Sequence, residues 1–167
     1  MSAYLKAILT SQIEAALCML TECIQKCPVE HWEGKIGNDT FRQVAYHTLF
    51  WLDLYLSANA DAFKLRELHS RGGDDRSDSG PSTGLSKDES LAYSAICRQK
   101  LLATLAAETP ESLQGPSGFH WLPFSRGEAH LYNLRHVQHH TGQLSAYLRR
   151  IVQDGEQWWV KSGWRSK

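Results

Sequence analysis

The chain has 167 residues, a length that suits one domain over residues 1–167 with a sizeable core. Its 18 basic and 18 acidic residues cancel, so the charge argues against the basic surface of a nucleic-acid-binding protein. No uninterrupted apolar run reaches the roughly 20 residues of a membrane span, and no secretory signal is evident, so we expect no membrane insertion.

The first predicted helix covers about residues 3–26. Its apolar residues recur at intervals of three and four, as on one face of an amphipathic helix: Leu5, Ile8, Leu9, Ile13, Ala16, Leu17, Leu20 and Ile24. Pro28 ends it, because the residue before a proline avoids the helical conformation. We interpret Gly34–Asn38 as a loop.

The four cysteines are Cys18, Cys23, Cys27 and Cys97, and none forms a Cys-x-x-Cys pair or a disulfide framework. We therefore expect reduced thiols in the cytoplasm. Cys23 and Cys27 are four residues apart, but Cys27 abuts Pro28 and no histidine accompanies them. Small buried apolar groups are the favoured interpretation, and a cysteine metal site is a weak alternative.

A capping box of Thr40 and Gln43 begins the second predicted helix, which we place at residues 41–57. Its end is open, because residues 58–68 are also compatible with a helix. Residues 71–84 contain four glycines and a proline with almost nothing apolar, which predicts a long polar loop. A second capping box, Ser86 and Glu89, begins the third helix at residues 87–107.

The long loop between the second and third helices has a topological consequence. A short loop would force these helices to be antiparallel, whereas a long one can cross the bundle and allow them to run parallel. After breaks at Pro110 and Pro116 and an aromatic connector at 118–124, the last helix is predicted at 127–153. Three tryptophans of the C-terminal tail are expected to pack back onto the bundle: Trp158, Trp159 and Trp164. The pattern predicts an all-α four-helix fold without strands.

His136 and His140 are the most informative residues of the last helix. Residues four apart lie one turn apart on one helix face, so both imidazoles can bind one metal ion. His47 lies at the edge of the apolar stripe of the second helix. Three neutral imidazoles from two packed helices would bind a divalent ion and leave one position open for water or substrate.

Other residues are weaker candidates. His139 points roughly away from the apolar seam of the last helix, so we expect it to be exposed and dispensable. His130 falls on the seam side and is the best spare ligand. Glu128 and Asp53 are candidates either to accept hydrogen bonds from the metal-binding histidines or to act as bases. Their spacing in the sequence gives no further support to either role.

Two stretches carry a family resemblance: Gln43-Val-Ala-Tyr-His-Thr-Leu-Phe-Trp51, and His136-x-x-His-His-x-Gly-Gln143 preceded by Leu134-Arg135. In these motifs, and in their order and spacing over roughly residues 5–152, the chain resembles the DinB/YfiT-like superfamily of bacterial metalloproteins. The resemblance implies a four-helix bundle of up-down-down-up topology with His47, His136 and His140 as metal ligands. It also implies zinc or nickel and a homodimer. Thr141 stands where many relatives have Arg, which leaves the role of that position open.

The expected function is that of a divalent-metal enzyme with a small-molecule substrate. Such an ion can activate water for hydrolysis or hold a thiolate as nucleophile. Some relatives transfer low-molecular-weight thiols, so a thiol S-transferase and a hydrolase are both expectations. The alternative is a non-catalytic, metal-stabilised dimer that binds or senses a ligand. An acid or base within reach of the metal would discriminate between them.

Overall fold

The computed structural model describes residues 2–72, 84–151 and 159–165. Most of this chain is helical, and its elements follow one another in the order α1 (Ser2–Lys26), β1 (Lys35–Ile36), β2 (Asp39–Thr40), α2 (Phe41–Tyr55), α3 (His69–Gly72), α4 (Lys87–Ala107), α5 (Pro110–Gln114) and α6 (Arg126–Ile151). The four long helices match the four that the sequence predicts to within two residues at each described end.

The four long helices α1, α2, α4 and α6 form a bundle. Helices α1 and α2 each pack against both α4 and α6, so α1 and α2 occupy opposite corners. Lys6 donates to the carbonyl of Ala106, and Lys87 donates to that of Cys27. These pairs join the start of α1 to the end of α4 and the reverse, so the two helices are antiparallel.

Helices α2 and α4 run parallel, as the long connection between them predicts. The Cys97 thiol lies 3.6 Å from the carbonyl of Leu49, and Thr104, two turns later, donates to the carbonyl of Leu56. Helix α6 runs antiparallel to α2, because Phe41 packs on Tyr147 at one end and Tyr55 packs on Tyr132 at the other. The up-down-down-up topology is confirmed.

Helix α1 contributes much of the core and is unusually apolar. Its stretch Ala3–Lys26 has a mean hydropathy of 1.4 and is long enough to cross a membrane, yet 56% of its most apolar window is buried inside the protein. Helix α1 therefore has a high average hydropathy even though polar residues interrupt its apolar runs. Packing of α1 against α4 and α6 accounts for that apolar character.

The prediction that residues 34–38 are only a loop, and that the chain has no strand, is wrong in detail. Strands β1 and β2 pair antiparallel, with Lys35 opposite Thr40 and Ile36 opposite Asp39. Gly37 has φ +63°, a conformation that glycine adopts at little steric cost in a tight turn. This small hairpin leads directly into the Thr40 cap of α2.

Helix α2 ends at Tyr55, two residues before the predicted Ser57, and residues 58–68 are not helical. A distant cation occupies the carbonyl groups at this end. The Arg126 guanidinium donates to the carbonyls of Tyr55 and Ser57 at 3.0 and 2.9 Å. These acceptors would otherwise bond to amides further along a continuing helix.

The connection from α2 to α4 includes the short helix α3, while residues 73–83 of the predicted loop lie outside the described residues. Asp53 ties this connection to the bundle. Its carboxylate, fully buried, pairs with Arg66 and Lys100 and accepts a hydrogen bond from Tyr93. One buried charge therefore joins α2, α4 and the segment between them.

The connector from α4 to α6 contains helix α5, which the sequence reading missed. Thr109 caps α5, and Pro110 occupies its first turn, where a missing N–H has no cost. Gly118 has φ +90°, and a Cβ there would lie 2.0 Å from the carbonyl oxygen of Ala58. The close approach fixes residues 118–124 against the end of α2.

The tail behaves only partly as predicted. Trp164 packs against the core and lies 4.5 Å from the Arg98 guanidinium, and Val160 is buried against α1. Trp159 is 71% exposed, so the prediction that it packs onto the bundle is wrong. Trp158 and the predicted end of the last helix at residue 153 lie outside the described residues. Val160, the next residue along the chain, is buried in its place, so the side chain of Trp159 faces solvent.

Candidate metal centre

Helix α2 positions His47 two turns after its capped start. Thr40 accepts from the amide of Gln43, and the Gln43 side chain accepts from the amide of Thr40, so the first turn is fixed at both ends. His47 is half-buried, and its ring lies 6.3 Å from that of Trp51, one turn further on. The helix thus presents an imidazole followed by an indole on one face.

Helix α6 presents the second and third imidazoles. His136 and His140 lie one turn apart with ring centroids 4.6 Å apart, and both are half-buried. His139 is exposed, as its helical position predicts. The local spacing therefore separates one solvent-facing histidine from two that face α2.

The structure brings His47, His136 and His140 together between α2 and α6. One ligand nitrogen from each lies within 4.8 Å of the others, and the Nε2 atoms of His47 and His136 are 3.2 Å apart. Two nitrogens bound at roughly 2.0–2.1 Å to one tetrahedral zinc ion are separated by about 3.3 Å. The three side chains therefore fit a divalent metal ion with imidazole ligands.

Gln143 fixes the protonation of His140. Its side-chain carbonyl oxygen Oε1 lies 2.8 Å from His140 Nδ1, and since that oxygen can only accept, Nδ1 carries the proton. The lone pair of His140 is then on Nε2. Metal-binding histidines are commonly oriented by such an acceptor. Sequence reasoning gave Gln143 no role, although its position three residues after a candidate ligand was the available signal.

Burial keeps two of the three histidines, His136 and His140, neutral. Burial, followed by the neighbouring His140 and His47, lowers the pKa of His136 from its usual 6.5 to about 3. The pKa of His140 is lowered as well, mainly by burial. At neutral pH both rings therefore offer lone pairs, which is the form that a metal ion requires.

Three buried polar atoms on α6 lack partners in the described part of the chain: Nδ1 of His130, Oδ1 of Asn133 and Nδ1 of His136. The last two lie one turn apart on the helix. With Nε2 of His136 directed at a metal, Nδ1 would carry a proton and need an acceptor. Asn133 Oδ1 is an acceptor in need of a donor, so the two requirements are complementary.

The three histidines lie at one end of an open cleft of about 920 Å³. Its other lining residues are aromatic or small and come from α2, α6 and both connections: Trp51, Tyr55, Ala60, Trp121 and Tyr132. The sequence did not single out any of these five as site residues. A volume of this size falls in the upper part of the range of small-molecule sites.

The spare candidates lie elsewhere. His130 is fully buried, and its Nε2 lies 2.9 Å from Glu108, which also pairs with Arg126. Glu128 is exposed in the first turn of α6. Asp53 is engaged with Arg66 and Lys100, as described above. None of these side chains lines the cleft, so the structure does not support them as a spare ligand or as bases there.

The cysteine alternative receives no support. Burial raises the pKa of Cys23 to about 12 and that of Cys27 to about 11, so both remain thiols at neutral pH. Among the described residues, the one cluster of three potential metal ligands is the histidine cluster. The cysteines are buried or half-buried free thiols in the core, as the favoured interpretation predicts.

Thr141 follows His140 but does not face the cleft. It is fully buried, and its hydroxyl donates to the carbonyl of Val137 at 2.7 Å. The position at which this chain departs from the family pattern therefore lies in the core, where the hydroxyl is satisfied within its own helix.

Comparison with known families places this geometry in context. The model of the DinB superfamily matches residues 12–144, which include all three histidines and all four long helices in whole or in large part. The chain belongs to the DinB superfamily. Searches of curated proteins and of solved structures returned no match. The DinB assignment thus establishes the four-helix fold and leaves the reaction to be inferred from the site.

Proposed function

We propose that this DinB-superfamily protein is a metal-dependent enzyme in which His47, His136 and His140 hold one divalent ion, zinc or nickel. The observation that carries the proposal is the convergence of three imidazole nitrogens within 4.8 Å at one end of an open cleft. Three protein ligands leave a coordination position for a substrate atom, as in catalytic zinc sites. The cleft gives that position access to small molecules.

Of the two reaction types, thiol transfer has better support than hydrolysis. Among the described residues, the titratable side chains lining the cleft are the three histidines, Tyr55 and Tyr132, with no carboxylate. Burial raises the pKa of Tyr55 to about 12, so it is not a base at neutral pH. A bound divalent ion by itself stabilises a thiolate, whereas metal-dependent hydrolysis commonly also uses a carboxylate as general base, as in the His-Glu-x-x-His motif.

The proposed reaction joins a low-molecular-weight thiol to an electrophile. The sulfur forms a bond to an electrophilic carbon, the thiol proton passes to solvent, and the leaving group departs with the bonding electrons. The three histidines would hold the ion that binds the sulfur, and the cleft walls position the acceptor. We further propose a homodimer located in the cytoplasm; the resemblance to DinB/YfiT-like proteins supports the former and the cysteine pattern the latter.

Metal analysis of five proteins tests the site. We expect the wild type and His139→Ala to bind one zinc or nickel ion per chain, because His139 is exposed and lies outside the three-histidine cluster. Alanine at His47, His136 or His140 should abolish stoichiometric binding. Elemental analysis after gel filtration is the measurement. Wild-type affinity in His47→Ala would refute the three-histidine site.

Cobalt substitution then tests the open position and the reaction. Imidazole or a small thiol should shift the visible spectrum of the cobalt protein, and a thiol should be consumed in the presence of an alkylating acceptor. Ester hydrolysis measured in parallel covers the hydrolase. A spectrum that no added ligand shifts, together with no turnover in either assay, would favour the non-catalytic metal-stabilised module.

A further inference from the structure

Four rings form a continuous aromatic wall that leads away from the histidine cluster: Trp51, Tyr55, Trp121 and Tyr132. The rings of Trp51 and Tyr55 contact each other with centroids 5.3 Å apart and their planes tilted by 36°. Trp121 meets Trp51 edge-on at 6.3 Å, and Tyr132 meets Tyr55 edge-on at 5.6 Å. The wall combines α2, α6 and the connector before α6, and it begins one turn after His47.

Two polar groups of the aromatic wall bond to each other. The Trp121 indole N–H donates to the Tyr55 hydroxyl at 3.3 Å. These two groups do not need a ligand to satisfy them. What the wall offers a ligand is therefore mainly the faces and edges of its rings.

Charge is missing from the lining that the structure describes. Among the described residues, no Lys, Arg, Asp or Glu lines the cleft, and the lining outside the aromatic wall consists of Ala60 and the three histidines. At the aromatic wall, away from the histidines and any ion that they hold, a charged group would lose hydration without gaining an ion pair, which is unfavourable. A neutral ligand pays no such penalty, and a planar one can cover several rings at once.

We propose that the cleft takes a neutral molecule with a planar aromatic ring system, whose rings lie on the aromatic wall and whose reacting end faces the histidines. The volume of about 920 Å³ accommodates a ring system of one or two rings together with a second small molecule. The direction of the reacting end rests on the proposed function, in which this molecule is the acceptor. Binding of the rings does not depend on that function.

Trp121 is the residue that sets this specificity. It is 36% exposed, the most open member of the wall, and lies three residues after Gly118 in the connector. Contact of Gly118 with Ala58 fixes that connector, so the indole is held in place before a ligand arrives. A preorganised ring loses little entropy on binding.

The test compares three probes that share a naphthalene ring: the neutral naphthalene-1-methanol, the anionic naphthalene-1-carboxylate and the cationic naphthalene-1-methylammonium. Each is titrated by calorimetry into the full-length metal-free protein. We expect the neutral probe to bind at least about tenfold more tightly than either charged one. Trp121→Ala should weaken it by about tenfold or more, while Trp121→Phe should stay within about threefold of wild type.

Trp159→Ala is the matched control, because it removes an equally large indole that is 71% exposed on the tail, and it should bind the neutral probe as wild type does. Should Trp121→Ala fail to fold by circular dichroism, Ala60→Leu narrows the same cleft and is expected to weaken binding instead. Equal or tighter binding of a charged probe, or unchanged binding in a folded cleft variant, would overturn the proposal.

Metal stoichiometry separates this inference from the proposed function. Trp121→Ala should still bind one zinc or nickel ion, because the indole is not a ligand. A protein that binds metal but no naphthalene probe would refute the aromatic-ligand inference alone. A protein that binds the neutral probe but no metal would refute the metalloenzyme and leave the aromatic site standing.

Discussion

At the scale of single residues, the candidate metal centre depends on where protons lie. Gln143 holds the Nδ1 proton of His140, so the lone pair of that ring is on Nε2. An acceptor behind a metal ligand both orients the ring and increases its basicity. Gln143 is itself exposed, so its contribution to the fold is small compared with its effect on His140.

We therefore predict that Gln143→Leu lowers zinc affinity by roughly tenfold or more, the range expected when such an acceptor is lost. Gln143→Glu keeps an acceptor oxygen and should retain affinity. Gln99→Leu, an exposed position on α4, is the matched control and should have no effect. Competition with a chelating dye measures all four proteins. Equal affinities in the Leu and Glu variants at position 143 would argue against this role.

The lowered pKa of His136 makes the stability of the metal-free protein depend on pH. Its folded-state pKa of about 3 lies below the usual 6.5, so the unfolded state binds more protons between these values. The contribution is complete above about pH 6.5 and is lost as the pH falls toward 3. The pKa values of His130 and His140 are also lowered and act in the same direction.

We expect the free energy of unfolding, measured with urea, to decrease between pH 7.5 and pH 5. His136→Gln should reduce this pH dependence, because the replacement side chain does not titrate. His139→Gln is the control and should keep the wild-type slope, since that ring is exposed. A wild-type slope in His136→Gln would mean that other groups carry the effect.

At the scale of secondary-structure elements, capping residues decide where the helices begin. Both α2 and α4 have complete capping boxes, at Thr40 with Gln43 and at Ser86 with Glu89. Each box satisfies two groups of the first turn that would otherwise lack partners. In α2 the cap has a second effect, because the residue at which the helix begins determines that His47 faces α6.

Ser86→Ala should destabilise the protein by about 1 kcal/mol, because the Ser86 hydroxyl accepts from the amide of Glu89. Ser86→Thr retains the acceptor and should cost a fraction of that amount. Chemical denaturation gives both values. A similar loss in the two variants would indicate that tight packing around position 86, rather than the cap, is responsible.

At the scale of the whole molecule, buried ion pairs join segments that are distant in sequence. Asp53 connects α2 with Lys100 of α4 and with Arg66 of the segment that also supplies Ala60 to the cleft. At the N-terminal end of α6, Glu108 pairs with both Arg126 and His130. These two networks hold the connections that line the cleft in a fixed position relative to α2 and α6, which carry the histidines.

Asp53→Ala should cost about 3 kcal/mol or more, because removing one partner leaves Lys100 and Arg66 without their buried counter-charge. Asp61→Ala, an exposed carboxylate in the same connection, should change stability by less than about 0.5 kcal/mol. Urea denaturation compares the two. A loss near zero for Asp53→Ala would show that both cations rehydrate without penalty.

The sequence by itself determined the four long helices and the pairing of His136 with His140. Both depend on local rules, because helical periodicity places residues four apart on one face and capping residues mark helix starts. Periodicity also placed His139 outside and His47 at the edge of its stripe. The long polar segment correctly predicted parallel α2 and α4, since chain connectivity limits topology.

Only the tertiary structure decided what lies around those residues. Arg126 donates to the last carbonyl of α2, at Tyr55, across 71 residues, and the aromatic wall joins Trp121 to Tyr55 across 66 residues. Burial of Asp53 and exposure of Trp159 likewise follow from neighbours that periodicity cannot identify. Contacts between distant segments arise from packing and buried hydrogen bonds, which have no fixed spacing along the chain. The candidate ligands could thus be predicted from local helix geometry, whereas the cleft that they face depends on the packing of distant segments.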